Sequence, residues 1–447
     1  MWIRDAVSSP WRRVNPLDNP NANYTNLPPN EPDTWNPELN DVVLHGISEP
    51  AGTNSGIVAT GTGVVNGFQG NHTRIHFLNH PGQASTNGLP YDANTGKIVV
   101  FGSIGSILHE RDSRVTNAPA AIGTGLGIDA ARFSINGQEK YRVKFDEILE
   151  TELTRTTDFY ATTFDAPMAF GNNDYLKMRR ITGETARRPH KLINGVQSNG
   201  VWATRAKNTT ADVFATTPTE IANCPDEAKY QDGKHTLNFT VSDAANNSDN
   251  KNIETIVDNF QPYVKSLVVK QQDGTVIYEG KWTCNGSCIS FSETKKDYNS
   301  ANNCTVIVTT SEPMTGTVIL LNGTTAKSTS AVGAVTTFLN TDLVAGPITI
   351  KSGGAAPNFT FKDLADNQLL NLAPKKGQCV TVPTRTGATT FSNPNNIISN
   401  GEENSFSLHT SCPLTVALTT KNPCKGKNNG KATLSVTSAT KLQSILE

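Results

Sequence analysis

The chain has 447 residues, enough for two to four domains that each bury a core of their own. Charged residues make up 18%, the net charge is −1, and no Lys/Arg run occurs, which excludes a basic nucleic-acid binder. No stretch nears the roughly 18 apolar residues of a membrane span, and Met1-Trp-Ile-Arg-Asp5 lacks the basic and apolar regions of a signal peptide.

Taken in order, residues 15–40 are dominated by Pro and Asn and predict an extended linker. From Asp41, short β-branched runs separated by Gly/Asn/Pro turns predict strands: Val42-Val43-Leu44, Ile57-Val58-Ala59 and Lys97 through Phe101. Residues 131–145 predict a hairpin about Asn136-Gly137. A two-residue turn there puts Phe133 and Tyr141 on opposite faces, so a three-residue loop with a bulge is expected. Arg179, Arg180, Arg187 and Arg188 form a basic cluster that reads as a solvated strand edge.

A repeat organises the remainder. Residues 237–247 (LNFTVSDAANN) and 357–367 (PNFTFKDLADN) share Asn, Phe, Thr, Asp, Ala and Asn in register. In each, apolar residues alternate (Leu237, Phe239, Val241; Phe359, Phe361) as in a strand with one buried face. Asp243 and Asp363 are expected to bond amides two residues on, and Asn247 and Asn367 to take the left-handed turn position. Each copy reads as the closing hairpin of a sandwich. Between the copies, a hairpin about Asp273-Gly274 and strands at 304–310, 317–321, 335–339 and 347–351 are expected. Residues 373–404 have linker composition, and 412–437 alternate as a two-stranded unit about Asn429-Gly430. The fold class predicted is therefore all-β, with tandem immunoglobulin-like β-sandwich domains at 41–258 and 259–372.

All seven cysteines lie at or after Cys224, and pairs bracket short polar loops, Cys284 with Cys288 and Cys412 with Cys424. That spacing favours disulfides in an oxidising compartment over zinc. His72, His76 and His80 form an H-x3-H-x3-H series and are the weak metal candidates. On a strand, residues four apart are separated by about 13 Å, too far for one ion, so surface or inter-strand histidines are favoured. Asp/Asn clusters at 243–250 and 363–367 lack the spacing of a calcium loop. No Gly-x-Ser-x-Gly elbow occurs, and Gly123-Thr-Gly-Leu-Gly127 precedes a hairpin and not a helix. Trp35, Trp202 and Trp282 could stack on sugars, although core packing is favoured for each.

Three parts resemble pieces of large secreted proteins of gliding bacteria. Ile3-Arg4-Asp5 followed by Asn15-Pro16-Leu17 resembles the last strand of a lysostaphin-type (LytM-like) zinc endopeptidase domain. Aligned so, the family's H-x-H falls before Met1 and its His-x3-Asp is absent, so the resemblance supplies no zinc ligand within the chain. Phe133 through Gly137, Val143 through Glu147, Asp232 through Leu237 and Val241 through Asn247 resemble the β-sandwich region that follows such peptidases. Residues 412–436 are similar to the opening half of an SprB repeat, an adhesin module, which makes 405–447 an incomplete module and 1–40 a remnant strand plus linker. The resemblance implies a non-catalytic, extracellular accessory region of a cell-surface protein, with no cofactor and with surface glycan or surface proteins as partners. A free-standing adhesin and a metal-dependent hydrolase using His72, His76 and His80 are the alternatives.

Overall fold

The computed structural model describes residues 2–3, 12–14, 36–47, 55–60, 64–65, 72–76, 97–111, 130–144, 147–149, 177–182, 190–191, 197–198, 202–208, 221–243, 246–296, 298, 301–354, 358–372, 379–387, 389–392, 404–408, 415–421 and 431–437. Among them the chain is all-β, with one 3-10 turn at Pro225–Glu227 and no α-helix. It forms two units: residues 1–261 with 382–393, and residues 262–381 with 394–447.

The first unit is a β-sandwich. One sheet runs in the order Gln138–Lys144, Ala130–Ile135, Gly233–Ser242, Ser248–Val257, Lys97–Phe101, Gly56–Thr60. The other runs Lys177–Thr182, Ser103–Arg111, Glu38–Ile47, His72–His76, Val64–Val65, with Trp202–Ala203 also on Ser103–Arg111. Period-two alternation supplies the core: Val42, Leu44 and Leu108 from the second sheet join Phe133, Leu237, Phe239, Val241 and Val257 from the first in one buried cluster. Gly102 alone carries the chain between the sheets. Its φ is +71°, and a Cβ there would run into Ser55, so both conformation and space require glycine.

The 130–144 hairpin corrects the expected loop. Asn136 (φ 51°) and Gly137 (φ 78°) form a two-residue turn with Ile135 opposite Gln138. The bulge lies further along, between Glu139 and Tyr141, and it is this shift that brings Tyr141 opposite Phe133, with both buried.

The second unit is one curled nine-stranded sheet. Its order is Cys379–Val380, Ile289–Lys295, Val276–Cys284, Val264–Lys270, Cys304–Asn322, Gly346–Ser352, Asn404–Leu408, with Thr325–Thr341 and Lys362–Asp363 also on Cys304–Asn322. The expected strands at 304–310 and 317–321 are one. The first part pairs with Val264–Lys270, the second with Gly346–Ser352, and the register breaks between Thr309 and Met314. The curl brings Phe406, from one end of the strand order, 6.0 Å from Phe291 and 6.5 Å from Tyr278 near the other. Beyond this sheet, Thr415–Lys421 and Lys431–Thr437 form an antiparallel hairpin with Val416 opposite Val436.

The repeated motif folds the same way twice at its turn, and differently before it. In both copies the Asn N–H donates to the Asp side chain (Asn247 to Asp243 2.9 Å, Asn367 to Asp363 2.7 Å) and the Asn amide to the other Asp oxygen (2.8 and 2.6 Å). The carboxylate therefore reaches four residues on and not two, and the left-handed residue is the one before the Asn, Asn246 (φ 67°) and Asp366 (φ 69°). In the first copy this turn joins Gly233–Ser242 to Ser248–Val257, whereas in the second only Lys362–Asp363 is strand, paired with Met314 and Thr315.

Candidate binding edge

Thr325–Thr341 is a 17-residue strand paired with Cys304–Asn322. Among the described residues nothing pairs with its other side. Its sequence, TAKSTSAVGAVTTFLNT, carries one charge, and Val332, Val335 and Leu339 are 83%, 57% and 59% exposed. A free strand edge presents a row of backbone donors and acceptors, and apolar side chains beside it make that row a template for another strand.

Local chemistry holds the edge in place. Asn322 is buried; its Oδ1 accepts from the Val344 N–H at 2.6 Å and its amide donates to the Val344 and Pro347 carbonyls at 3.1 and 2.8 Å. The Thr325 hydroxyl donates to the Asp342 carbonyl at 3.0 Å. The Lys327 ammonium donates to the carbonyls of Leu339 and Asn340, near the other end of the same strand. Val332 and Val335 lie between those two tied ends. Near the start of the partner strand, Cys304 is a buried free thiol. Burial and then the Asp342 charge raise its pKa, which keeps it protonated and unreactive at neutral pH.

The first unit has a second polar constellation, wholly buried. The Asp232 carboxylate accepts from the Asn259 and Phe260 N–H groups at 3.0 and 2.9 Å. Asn259 Oδ1 accepts from the Gly102 N–H at 3.0 Å and lies 2.8 Å from the Thr204 hydroxyl. Arg385 pairs with Asp258, its guanidinium 5.8 Å from the Phe101 ring centroid and 5.1 Å from that of Phe391. Burial, and then the Asp258 charge, hold Asp232 well above the usual carboxylate range. Two carboxylates and one guanidinium, closed in by backbone bonds, form a structural anchor.

Of the residues singled out from sequence, Trp202 and Trp282 are core and present no stacking face; Trp202 lies against Phe133 and Tyr230, and Trp282 against Phe291. Trp35 lies outside the described residues, as do His80, Cys412 and Cys424. His72 and His76 lie on one strand, opposite His45 and Asp41. Cys288 bonds to Cys379, 91 residues on, and not to Cys284, with which it brackets a loop; Cys284 and Cys224 are also disulfide-bonded. Sequence reasoning missed Arg385, Asp258 and Asn259. Their only signal, an Asp-Asn pair, was read as a domain boundary. Comparison with protein families, with curated proteins and with solved structures finds no match for the chain.

Proposed function

We propose that the chain is a non-catalytic, extracellular binding region of a cell-surface protein, built of tandem immunoglobulin-like sandwiches and accessory to a wall-directed zinc endopeptidase. The observation that carries this reading is the open Thr325–Thr341 edge with its exposed valines. Its occupant is an extended segment of another surface protein, added as a further strand, because backbone pairing suits a row of Ser, Thr, Ala and Val better than it suits a sugar. The bonded pair Cys288–Cys379 suits an oxidising compartment. The likenesses to a peptidase-associated region and to an SprB-like module supply the setting.

The test is binding of the labelled chain to intact gliding bacteria. Saturable binding is expected, abolished when surface proteins are shaved by protease. In the double variant Val332→Lys, Val335→Lys it should weaken about tenfold, the worth of roughly 1.4 kcal/mol. Binding indifferent to both treatments, or cleavage of isolated peptidoglycan by the purified chain, overturns the reading.

A further inference from the structure

An Asn-Gly step is a turn signal and also a chemically fragile pair. Asparagine is thermolabile, and most so before glycine, whose nitrogen has no Cβ beside it to crowd its approach to the asparagine side-chain carbon. Three such steps lie among the described residues: Asn136-Gly137, Asn285-Gly286 and Asn322-Gly323. We propose that Asn285 is a self-modification site, converted by water alone to a mixture of aspartate and isoaspartate, while the fold protects Asn136 and Asn322.

Asn322 is protected by burial. It is 1% exposed, its Oδ1 accepts from the Val344 N–H, and its amide donates to the Val344 and Pro347 carbonyls. A Cβ added at Gly323 would come within 2.8 Å of Val344 Cγ2, so an intermediate ring has no room there. Asn136 is exposed, and hydrogen bonds protect it instead. Its Oδ1 accepts from the Thr236 N–H at 3.0 Å, and its amide nitrogen lies 3.0 Å from His235 Nδ1. His235 Nε2 lies 2.8 Å from the Gln231 carbonyl, which only accepts, so Nε2 carries the proton and Nδ1 accepts from Asn136. Burial lowers the pKa of His235, which favours that neutral ring. Turning Asn136 toward Gly137 breaks both of its side-chain bonds. Asn285 has neither protection. It is exposed, as are Gly286 and Ser287, and its side-chain amide has no hydrogen-bond partner among the described residues. Gly286, with φ at 70°, stands in open space: a Cβ there would meet nothing within 4 Å.

The chemistry needs only water. The Gly286 nitrogen gives up its proton to solvent and attacks Asn285 Cγ. The bond from Cγ to the amide nitrogen breaks, ammonia leaves, and a five-membered succinimide closes. Water then opens the ring at one carbonyl or the other. One product is aspartate; the other is isoaspartate, whose main chain is longer by one methylene. Either adds a negative charge. The turn confines the change, because Asn285 through Cys288 lie beyond the last ladder pair, Cys284 with Ile289. Cys288 is bonded to Cys379, and Cys284 is also in a disulfide. The extra length is taken up in the loop while the strands behind it stay paired, so modified chains remain folded and accumulate.

The test incubates the full chain, folded, at body temperature and mildly alkaline pH. Peptide mass spectrometry locates the mass gain of an amide-to-acid exchange, and an isoaspartyl methyltransferase assay scores isoaspartate. Both should rise at Asn285. Asn136 and Asn322 should react about tenfold more slowly or less, since each must first break two or more hydrogen bonds. In urea with the disulfides reduced, the three rates should converge. Asn285→Gln should remove the leading signal, and His235→Ala should raise the rate at Asn136, with circular dichroism as the check on folding. No modification at Asn285, equal rates at the three steps in the folded chain, or the same rank order in urea would each overturn the proposal. A urea midpoint lowered by the modification would overturn the confinement to the loop. Cell binding is no part of the readout, so failure here and failure of the strand-edge reading are separate results.

Discussion

The guanidinium of Arg385 meets the Asp258 carboxylate where the two side chains are only 2% and 0% exposed. Removing one partner of such a pair leaves an uncompensated charge in a low-dielectric interior, which costs about 3–5 kcal/mol. Arg385→Met should therefore destabilise the chain by about that amount, read as a lower urea midpoint, whereas a loss below about 1 kcal/mol would mean that Asp258 finds other compensation. Adding Asp258→Asn should restore part of the loss, since the charge left behind is then removed. The Asx turns were legible in the sequence because Asp243 and Asn247 act on their own neighbours and the same letters recur at Asp363 and Asn367. The finer geometry was not, because an oxygen reaching four residues on depends on the left-handed residue between, Asn246 or Asp366. Arg385 left no local trace at all: its partner lies 127 residues earlier.

Among the elements, the two-residue strand Cys379–Val380 is held to the sheet by pairing with Ile289 and Ser290 and by the Cys288–Cys379 disulfide. Closing a loop of 91 residues restricts the unfolded chain by roughly 4–5 kcal/mol in the chain-entropy account. The double variant Cys288→Ser, Cys379→Ser should lose stability of that order in guanidinium unfolding, and a change under about 1 kcal/mol would sink the entropic argument. Strands with clean alternation, such as Gly233–Ser242, were readable from sequence. Cys304–Asn322 is expected from sequence as two strands, 304–310 and 317–321, and Pro313 and Gly316 lie in the gap between them. The structure tolerates the proline there because the register breaks between Thr309 and Met314, and a bulge is where a strand can accommodate a residue without an N–H. Asn404–Leu408 straddles the expected boundary between the linker 373–404 and the last module 405–447; its Phe406 is buried against Tyr278 and Phe291, contacts that no local pattern announces.

For the whole molecule, composition marked 373–404 as a linker, yet residues 382–393 belong to the first unit. They do so by backbone as well as by charge: the Gln261 N–H donates to the Pro383 carbonyl at 3.0 Å, the Arg385 N–H to the Asn259 carbonyl at 2.9 Å, and Phe260 bridges Thr384. Proline, threonine and asparagine suit an extended segment whether it is solvated or docked, so composition could not tell the two apart. A chain ended at Gln261 keeps every strand of the first sandwich and lacks this segment. It should unfold at a lower denaturant concentration than the first unit of the full chain, and a peptide of residues 382–393 supplied in solution should raise the midpoint in a dose-dependent way. A midpoint equal to that of the full chain would show the segment to be dispensable.

The same path sets a timetable for synthesis. When Gln261 leaves the ribosome, Asp258 has been made and its partner Arg385 has not. Another 132 residues, the whole of 262–393, must follow before the docked segment is complete. At about 5–20 residues per second that is a wait of roughly 7–26 s. During that interval the first sandwich can close only without the Asp258–Arg385 pair, so a nascent chain should finish its first domain after, and not before, most of its second has been translated.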